Sequence, residues 1–376
     1  MGEAIQVYEE KMLDKLANWL IGFIAQIIDV FKPGWKKKNT AKLNEWKLML
    51  YALNRSVTGL VGLVLVIVFI CLAIFGPLIA PYKYNNFLIF QDLRYRFLSP
   101  FTYGPNKEFF LLGTDEYGRD VLSLLLYGAR VSLIVSLLVI AISFPIGVLL
   151  GLVAGYFGGK IDEVIMRITD IFFSFPGLIL AIGLSTTLPS RINILFKAFP
   201  GFQDLMLWLF AIDPVDSEKL SYLVAVVFAL VVVWWPPYTR VIRGSTLAER
   251  EKVYIEAAKA MGLSPLSIML KHIFPNIMGP MLVYITLDLG GVILSEAGLS
   301  YLGVGAQPPI ADWGRIVFDG SRWLYRGYWW LSLLPGAFIL FTALGYNLLG
   351  DALRDILDPK TRRSIEFKLK KGGKKS

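Results

Sequence analysis

Few residues in this 376-residue chain could do chemistry, and most of those are carboxylates set among apolar neighbours. His272 is the only histidine and Cys71 the only cysteine. A zinc site of the HExxH kind, a Ser-His-Asp triad and an intrachain disulfide are therefore out of reach. Gly155 to Lys160 comes nearest to a phosphate-binding loop. Its glycine spacing is wrong, however, and Ile161 stands where a serine or threonine is needed. What remains is Asp288 and Glu296 in an apolar run, Asp115 and Arg119 four residues apart, and a polar stretch around Glu256. None of these is a catalytic constellation. The chain reads as a non-enzyme with no cofactor or metal of its own.

Asp288 has the sharpest physical meaning. A carboxylate at the centre of a membrane span costs about 2.5–3.5 kcal/mol on insertion scales, so it must face a wet cavity or a partner helix. Glu296 lies eight residues on, on roughly the same helical face. The two are candidates for a translocation path, the alternative being that Asp288 bonds a neighbouring span. Asp115 and Arg119 have helical i,i+4 spacing and can pair. Such a pair is either a solvated ion pair of about 0.5 kcal/mol or part of a device that closes a pore.

The elements that must position these groups are apolar runs. The chain is 55% hydrophobic, and the hydrophobicity is gathered into segments of about 20 residues, the length that crosses a hydrocarbon core. Six spans are expected, at Val57–Ala80, Val131–Phe157, Ile168–Leu188 (kinked at Pro176), Leu220–Val241, Ile277–Ala297 and Leu331–Leu349. The fold class is an all-α polytopic membrane protein. Residues 1–56 form an N-terminal extension, 81–128 a loop, 129–350 the core with five spans, and 351–376 a basic tail. Within the extension, Leu13, Leu16, Leu20, Phe23, Ile24, Ile27, Ile28 and Phe31 make one apolar face. The run from Trp19 to Phe31 is shorter than a span, so an interfacial helix is expected, with a further span as the alternative.

The net charge of +9 does not point to nucleic acid, because the basic residues cluster at membrane flanks. Lys32, Lys36, Lys37, Lys38, Lys42, Lys47 and Arg55 precede the first span. Lys160 and Arg167, then Arg240, Arg243, Arg250 and Lys252, then Arg362 and Arg363 mark further flanks. The positive-inside rule puts both termini in the cytoplasm of a cell-membrane protein. Lys160 to Arg167 reads as a short inside turn, and residues 199–212 as an interfacial segment. Gly147, Gly151, Gly155 and Gly159 recur every fourth residue, a face on which another helix can approach closely.

The stretch Glu256–Pro275 is too polar to cross a bilayer. Tyr254, Ala257, Ala258 and Met261 form a narrow apolar stripe at helical spacing. Gly262 can end that helix in a left-handed conformation, and Ser264-Pro265 is a restart signal of N-cap followed by proline. The pattern predicts a helix, a corner and a second helix up to Pro275. Periodicity alone leaves two readings open, an amphipathic loop on the headgroups or a surface gripped by another protein.

Glu256-Ala257-Ala258, Gly262 and Pro275 resemble the EAA loop of permease subunits in binding-protein-dependent ABC importers, with Phe274 in place of the usual leucine and His272 where isoleucine is common. Three further stretches resemble the dipeptide/oligopeptide/nickel branch of that family. They are Leu112 to Asp115 with Gly118-Arg119-Asp120 and Tyr127 to Arg130; Ser295 to Pro309 with Trp313-Gly314; and Gly350 to Asp355 with Asp358-Pro359. The match covers most of residues 45–360. The resemblance implies a type I (MetI-like) core of six spans and a coupling loop at 246–275. It implies a second homologous permease, two ATPases that bind ATP and Mg, and an extracytoplasmic binding protein as partners, with membrane lipid around them. Tyr254, Glu256, Ala257, Ala258, Met261, Gly262 and Pro275 would then couple to an ATPase. Asp115, Arg119, Gln307, Pro308 and Trp313 would form an outer gate or partner surface. Peptide is the expected cargo, with oligosaccharide or nickel as alternatives. A self-sufficient channel or secondary transporter is the rival of a different class, but no inverted internal repeat supports it.

Overall fold

The computed structural model describes residues 12–31, 34–83 and 93–357. Of the expected basic tail, residues 351–357 are the end of a helix, while 358–376, with Asp358-Pro359, Arg362 and Arg363, lie outside the described residues, as do Lys32 and the side chains of Leu13, Leu16, Leu20, Ile24 and Lys42. The chain divides into two compact units. One comprises residues up to Val64 together with those from Gly345 on, and the other is Leu65–Leu344.

The first unit holds helices α1 (Met12–Phe31), α2 (Trp35–Lys38) and α3 (Thr40–Leu53), with the start of α4 (Val57–Ile79) and the end of α15 (Trp330–Leu357). Ile21 and Ala25 of α1 pack on Leu43 of α3, flanked by Trp35 and Leu50. Ala52 and Leu53 pack on Ala352 and Ile356. Sequence reasoning gave α1 but not α3, whose polar and apolar residues are too mixed for a clear period.

The second unit is built on α5 (Val121–Phe157) and α10 (Ser217–Arg250). Between them come α6 (Gly159–Phe173), α7 (Gly177–Thr187), α8 (Pro189–Ala198) and α9 (Pro200–Phe210). After them come α11 (Val253–Ala260), α12 (Pro265–Ile268), a π-helical turn (Met269–Ile273), α13 (Phe274–Tyr301) and α14 (Trp313–Ser321). A small hairpin, β1 (Thr102–Tyr103) with β2 (Phe109–Phe110), lies in the expected loop. Among the described residues five helices can cross a membrane by length and composition, and the bent pair α6–α7 makes a sixth span if counted as one.

Glycine is what lets α5 and α10 meet. A Cβ at Gly151 would lie 2.8 Å from Cβ of Ile242, and one at Gly155 2.6 Å from Cβ of Thr246, while Gly147 is pressed on Tyr238 in the same way. The predicted glycine face is therefore real over three positions. Gly159 is not part of it: it lies past the end of α5 with φ +54° and open space around it.

Three expectations are corrected here. Lys160 to Arg167 is not a turn but the first half of α6, and Asp162 and Asp170 on that helix pair with Arg243 and Arg240 of α10. Pro176 does more than kink its span, since α6 and α7 meet at 83°. The second span starts ten residues early, at Val121, because Asp120 caps it by accepting from the Ser123 amide at 2.7 Å.

A candidate coupling corner and the buried carboxylates

The corner forms as its local sequence dictates. α11 runs from Val253 to Ala260, and Gly262 turns the chain at φ +78°, a conformation that a Cβ would oppose. Ser264 caps the restart by accepting from the Ser267 amide, and Pro265 opens α12. Of the predicted stripe, only Ala258 turns inward. Ile255 and Ala258 point inward, 0% and 1% exposed, onto Ile268, Ile273 and Ile277. Tyr254, Glu256, Ala257 and Met261 remain outside. With Val253, Leu266 and Leu270 they leave a bare apolar surface on the corner, Met261 being 73% exposed. Pro275 is exposed at the start of α13.

Glu249 and Asn276, which the sequence did not single out, help to hold this corner in place. The Tyr254 hydroxyl donates to Glu249, which also pairs with Lys252 at 2.6 Å, while the Asn276 amide donates to Tyr254 at 3.0 Å. Burial and the Glu249 carboxylate push the Tyr254 pKa from its ordinary 10.0 up to about 12, so the hydroxyl stays a donor at any working pH. Asn276 also donates to the His272 carbonyl at 2.5 Å, one of those displaced by the π-helical turn. Arg250 donates to the carbonyls of Gly155 and Tyr156 at 3.2 and 3.0 Å, tying the C-terminal end of α5 to the approach to the corner. In sequence Glu249 is one of two glutamates, with Glu251, among the basic residues at this flank, and nothing sets it apart.

Asp288 and Glu296 share α13 but not an environment. Asp288 is half-buried beside Tyr238 and Tyr284, whose rings meet edge to face at 5.5 Å. Among the described residues, neither its Oδ2 nor the Tyr238 hydroxyl has a hydrogen bond of good geometry. Glu296 is 0% exposed; it accepts from the Ser300 hydroxyl at 3.1 Å and stands near Asp312, which accepts from Ser132 at 3.3 Å. The eight-residue spacing therefore does not put both groups on one lining. Asp288 sits beside two tyrosines, whereas Glu296 lies in the packed junction of α5, α13 and the loop before α14.

Residues 147–363 match the family described as "binding-protein-dependent transport system inner membrane component", and residues 44–100 match the N-terminal TM domain of oligopeptide transport permease C. The chain belongs to this family of permease subunits. Among curated relatives, a dipeptide transport system permease of Alkalihalophilus pseudofirmus is 34% identical over 85% of this chain and 91% of that protein. A probable D,D-dipeptide permease of Escherichia coli is 34% identical over 86% and 95%. The oligopeptide permease OppC of Bacillus subtilis is 31% identical over 87% and 94%. In this permease α1 and α2 lie outside both family matches.

The permease's remaining predicted residues lie on or near the long segment between α4 and α5 and the loop before α14. Asp115 and Arg119 do pair, at 2.6 Å, but neither on a helix nor in solvent. Asp115 closes a turn by accepting from the Tyr117 and Arg119 amides, both at 2.8 Å, and each residue is 7% exposed. Burial disfavours the Arg119 charge, but Asp115 outweighs it and raises the pKa. Trp313 is likewise no surface residue. It is fully buried, donates to the Leu125 carbonyl at 3.0 Å and packs edge-on against Phe69 and Phe338. Of the five residues, Pro308 is exposed and Gln307 half-exposed, the latter folded back to donate to Gly303 and Gly305 carbonyls at 3.1 and 3.0 Å.

Proposed function

We propose that this permease lines, with a second homologous permease, the path of an ATP-driven importer for di- or oligopeptides. Two cytoplasmic ATPases hold ATP and Mg and do the chemistry, and an extracytoplasmic binding protein delivers the cargo. The peptide assignment is supported by the activities for which the relatives are named. Coupling runs through the corner, where Glu256, Ala257, Met261 and Gly262 form the docking surface and Tyr254, Ala258 and Pro275 shape it. The observation that carries this reading is the bare apolar face of Ala257, Met261, Leu266 and Leu270 on an otherwise braced turn. Small residues at its centre suit a groove on a partner.

Ala257→Trp tests the docking. The side chain points outward, so the variant inserts and folds, but its bulk should weaken ATPase retention on purification roughly tenfold or more, about 1.4 kcal/mol. A complex that keeps its ATPases and transports at the wild-type rate would show that this face docks nothing. Orientation is proposed from charge, with both termini and the corner in the cytoplasm of the cell membrane. Single cysteines at Lys107 and Lys259 check it: an impermeant reagent on intact cells should label the first only, and equal labelling contradicts the orientation.

A further inference from the structure

The N-terminal helices pose a separate question, since α1 and α2 fall outside both family matches. α1 is two-faced. At about 100° per residue, the exposed Trp19, Phe23, Ile27, Val30 and Phe31 fall in a sector roughly 120° wide. The buried Ile21 and Ala25 lie on the opposite side, against Leu43. Trp19 and Phe23 stack at 5.4 Å, forming one aromatic plate on the bare side. This is a second amphipathic face on a helix whose first face is already used.

Two observations decide what covers it. The first is tethering. Only Asn54, Arg55 and Ser56 separate α3 from the membrane-crossing α4, a reach of at most about 14 Å. A Cβ on Gly59 would sit 2.8 Å from both Leu53 and Ala352, so α3 is packed on the ends of two spans. α1, α2 and α3 are thus tethered to the ends of two membrane-crossing helices. The second is charge. Between residues 32 and 55 the chain carries Lys32, Lys36, Lys37, Lys38, Lys42, Lys47 and Arg55 against Glu45 alone. Lys36, Lys37 and Lys38 are exposed immediately after the stripe, and the Lys36 amide donates to Asp29 at 2.8 Å, which fixes this basic turn to the end of α1.

We propose that α1 with α2 is a lipid-binding paddle, in which the Trp19–Phe31 stripe enters the headgroup region of the bilayer and Lys36 to Lys38 hold anionic phospholipid headgroups. Aromatic and aliphatic residues supply burial, and the lysines supply selectivity for anionic lipid. The reading needs the chain to be embedded in a membrane but is independent of the cargo.

The test uses the full-length protein with Cys71→Ser, reconstituted in nanodiscs of phosphatidylcholine with or without phosphatidylglycerol. Single cysteines replace Phe23 or Ile27 on the stripe and Lys15 on the polar flank, each carrying a spin label. With phosphatidylglycerol, labels at 23 and 27 should collide with oxygen more than with a nickel chelate, and the label at 15 should do the reverse. Omitting phosphatidylglycerol, or combining Lys36→Gln, Lys37→Gln and Lys38→Gln, should lower the oxygen-to-nickel ratio at 23 severalfold. A stripe label open to nickel as at 15 would place the stripe in water, and one shielded from both reagents would mean protein covers it. Immersion independent of phosphatidylglycerol would remove the role of the lysines. Any of these outcomes overturns the proposal.

Discussion

Arg119→Met is the most demanding probe of the segment between α4 and α5. The Arg119 and Asp115 side chains are 9% and 10% exposed and meet at 2.6 Å. Removing one member of such a buried pair typically costs about 3–5 kcal/mol, because the other charge is left without its counterion. The lower figure applies here, since Asp115 keeps its amide bonds to Tyr117 and Arg119 after the substitution. A loss of about 3 kcal/mol lowers the unfolding temperature by about 6 °C in a large domain. The assay is thermal unfolding of the purified permease in detergent, run beside the double variant Asp115→Asn with Arg119→Met. The double variant buries no lone charge and should recover at least half of the loss. A single variant within about 1 °C of wild type would refute the argument, as would a double variant as unstable as the two singles summed.

Gly151→Ala should destabilise the permease by about 1–3 kcal/mol through forced separation of α5 and α10, whereas Gly183→Ala, with open space around it, should leave the isolated subunit unchanged; unfolding in detergent compares them, and equal effects would contradict the close-approach account. Asp288→Asn, which keeps the shape but removes the charge beside Tyr238 and Tyr284, should cut cargo uptake roughly tenfold, about 1.4 kcal/mol, while the assembled complex survives. Normal uptake with a weakened complex would instead make Asp288 a packing group.

The spans were legible because each is a long apolar run, and the corner was legible because Gly262, Ser264 and Pro265 act through local backbone geometry. What the sequence hid were choices made by tertiary contact. Lys160, Asp162, Glu163 and Arg167 look like a solvated turn until Arg240 and Arg243 arrive from α10 to pair with that helix. One member of the stripe on α11 could not be placed from periodicity, because only packing with Ile268 and Ile273 turns Ala258 inward beside Ile255. Asp115 and Arg119 have helical spacing, but Gly118, at φ +77°, bends the chain into a turn instead. Trp313 gave no sign of burial, since its partners Leu125, Phe69 and Phe338 are distant in sequence.

The run from Pro265 to Tyr301 is unbroken helix for 37 residues, its π-helical turn included. At about 1.5 Å per residue it is a rod of roughly 55 Å. The exposed corner, the tyrosine-flanked Asp288 and the sealed Glu296 are thus three stations on one shaft. A shaft of that length converts a tilt of about 5° into a sweep of about 5 Å at its far end. Leu266 and Leu270 near one end and Glu296 near the other are therefore joined by continuous helical backbone.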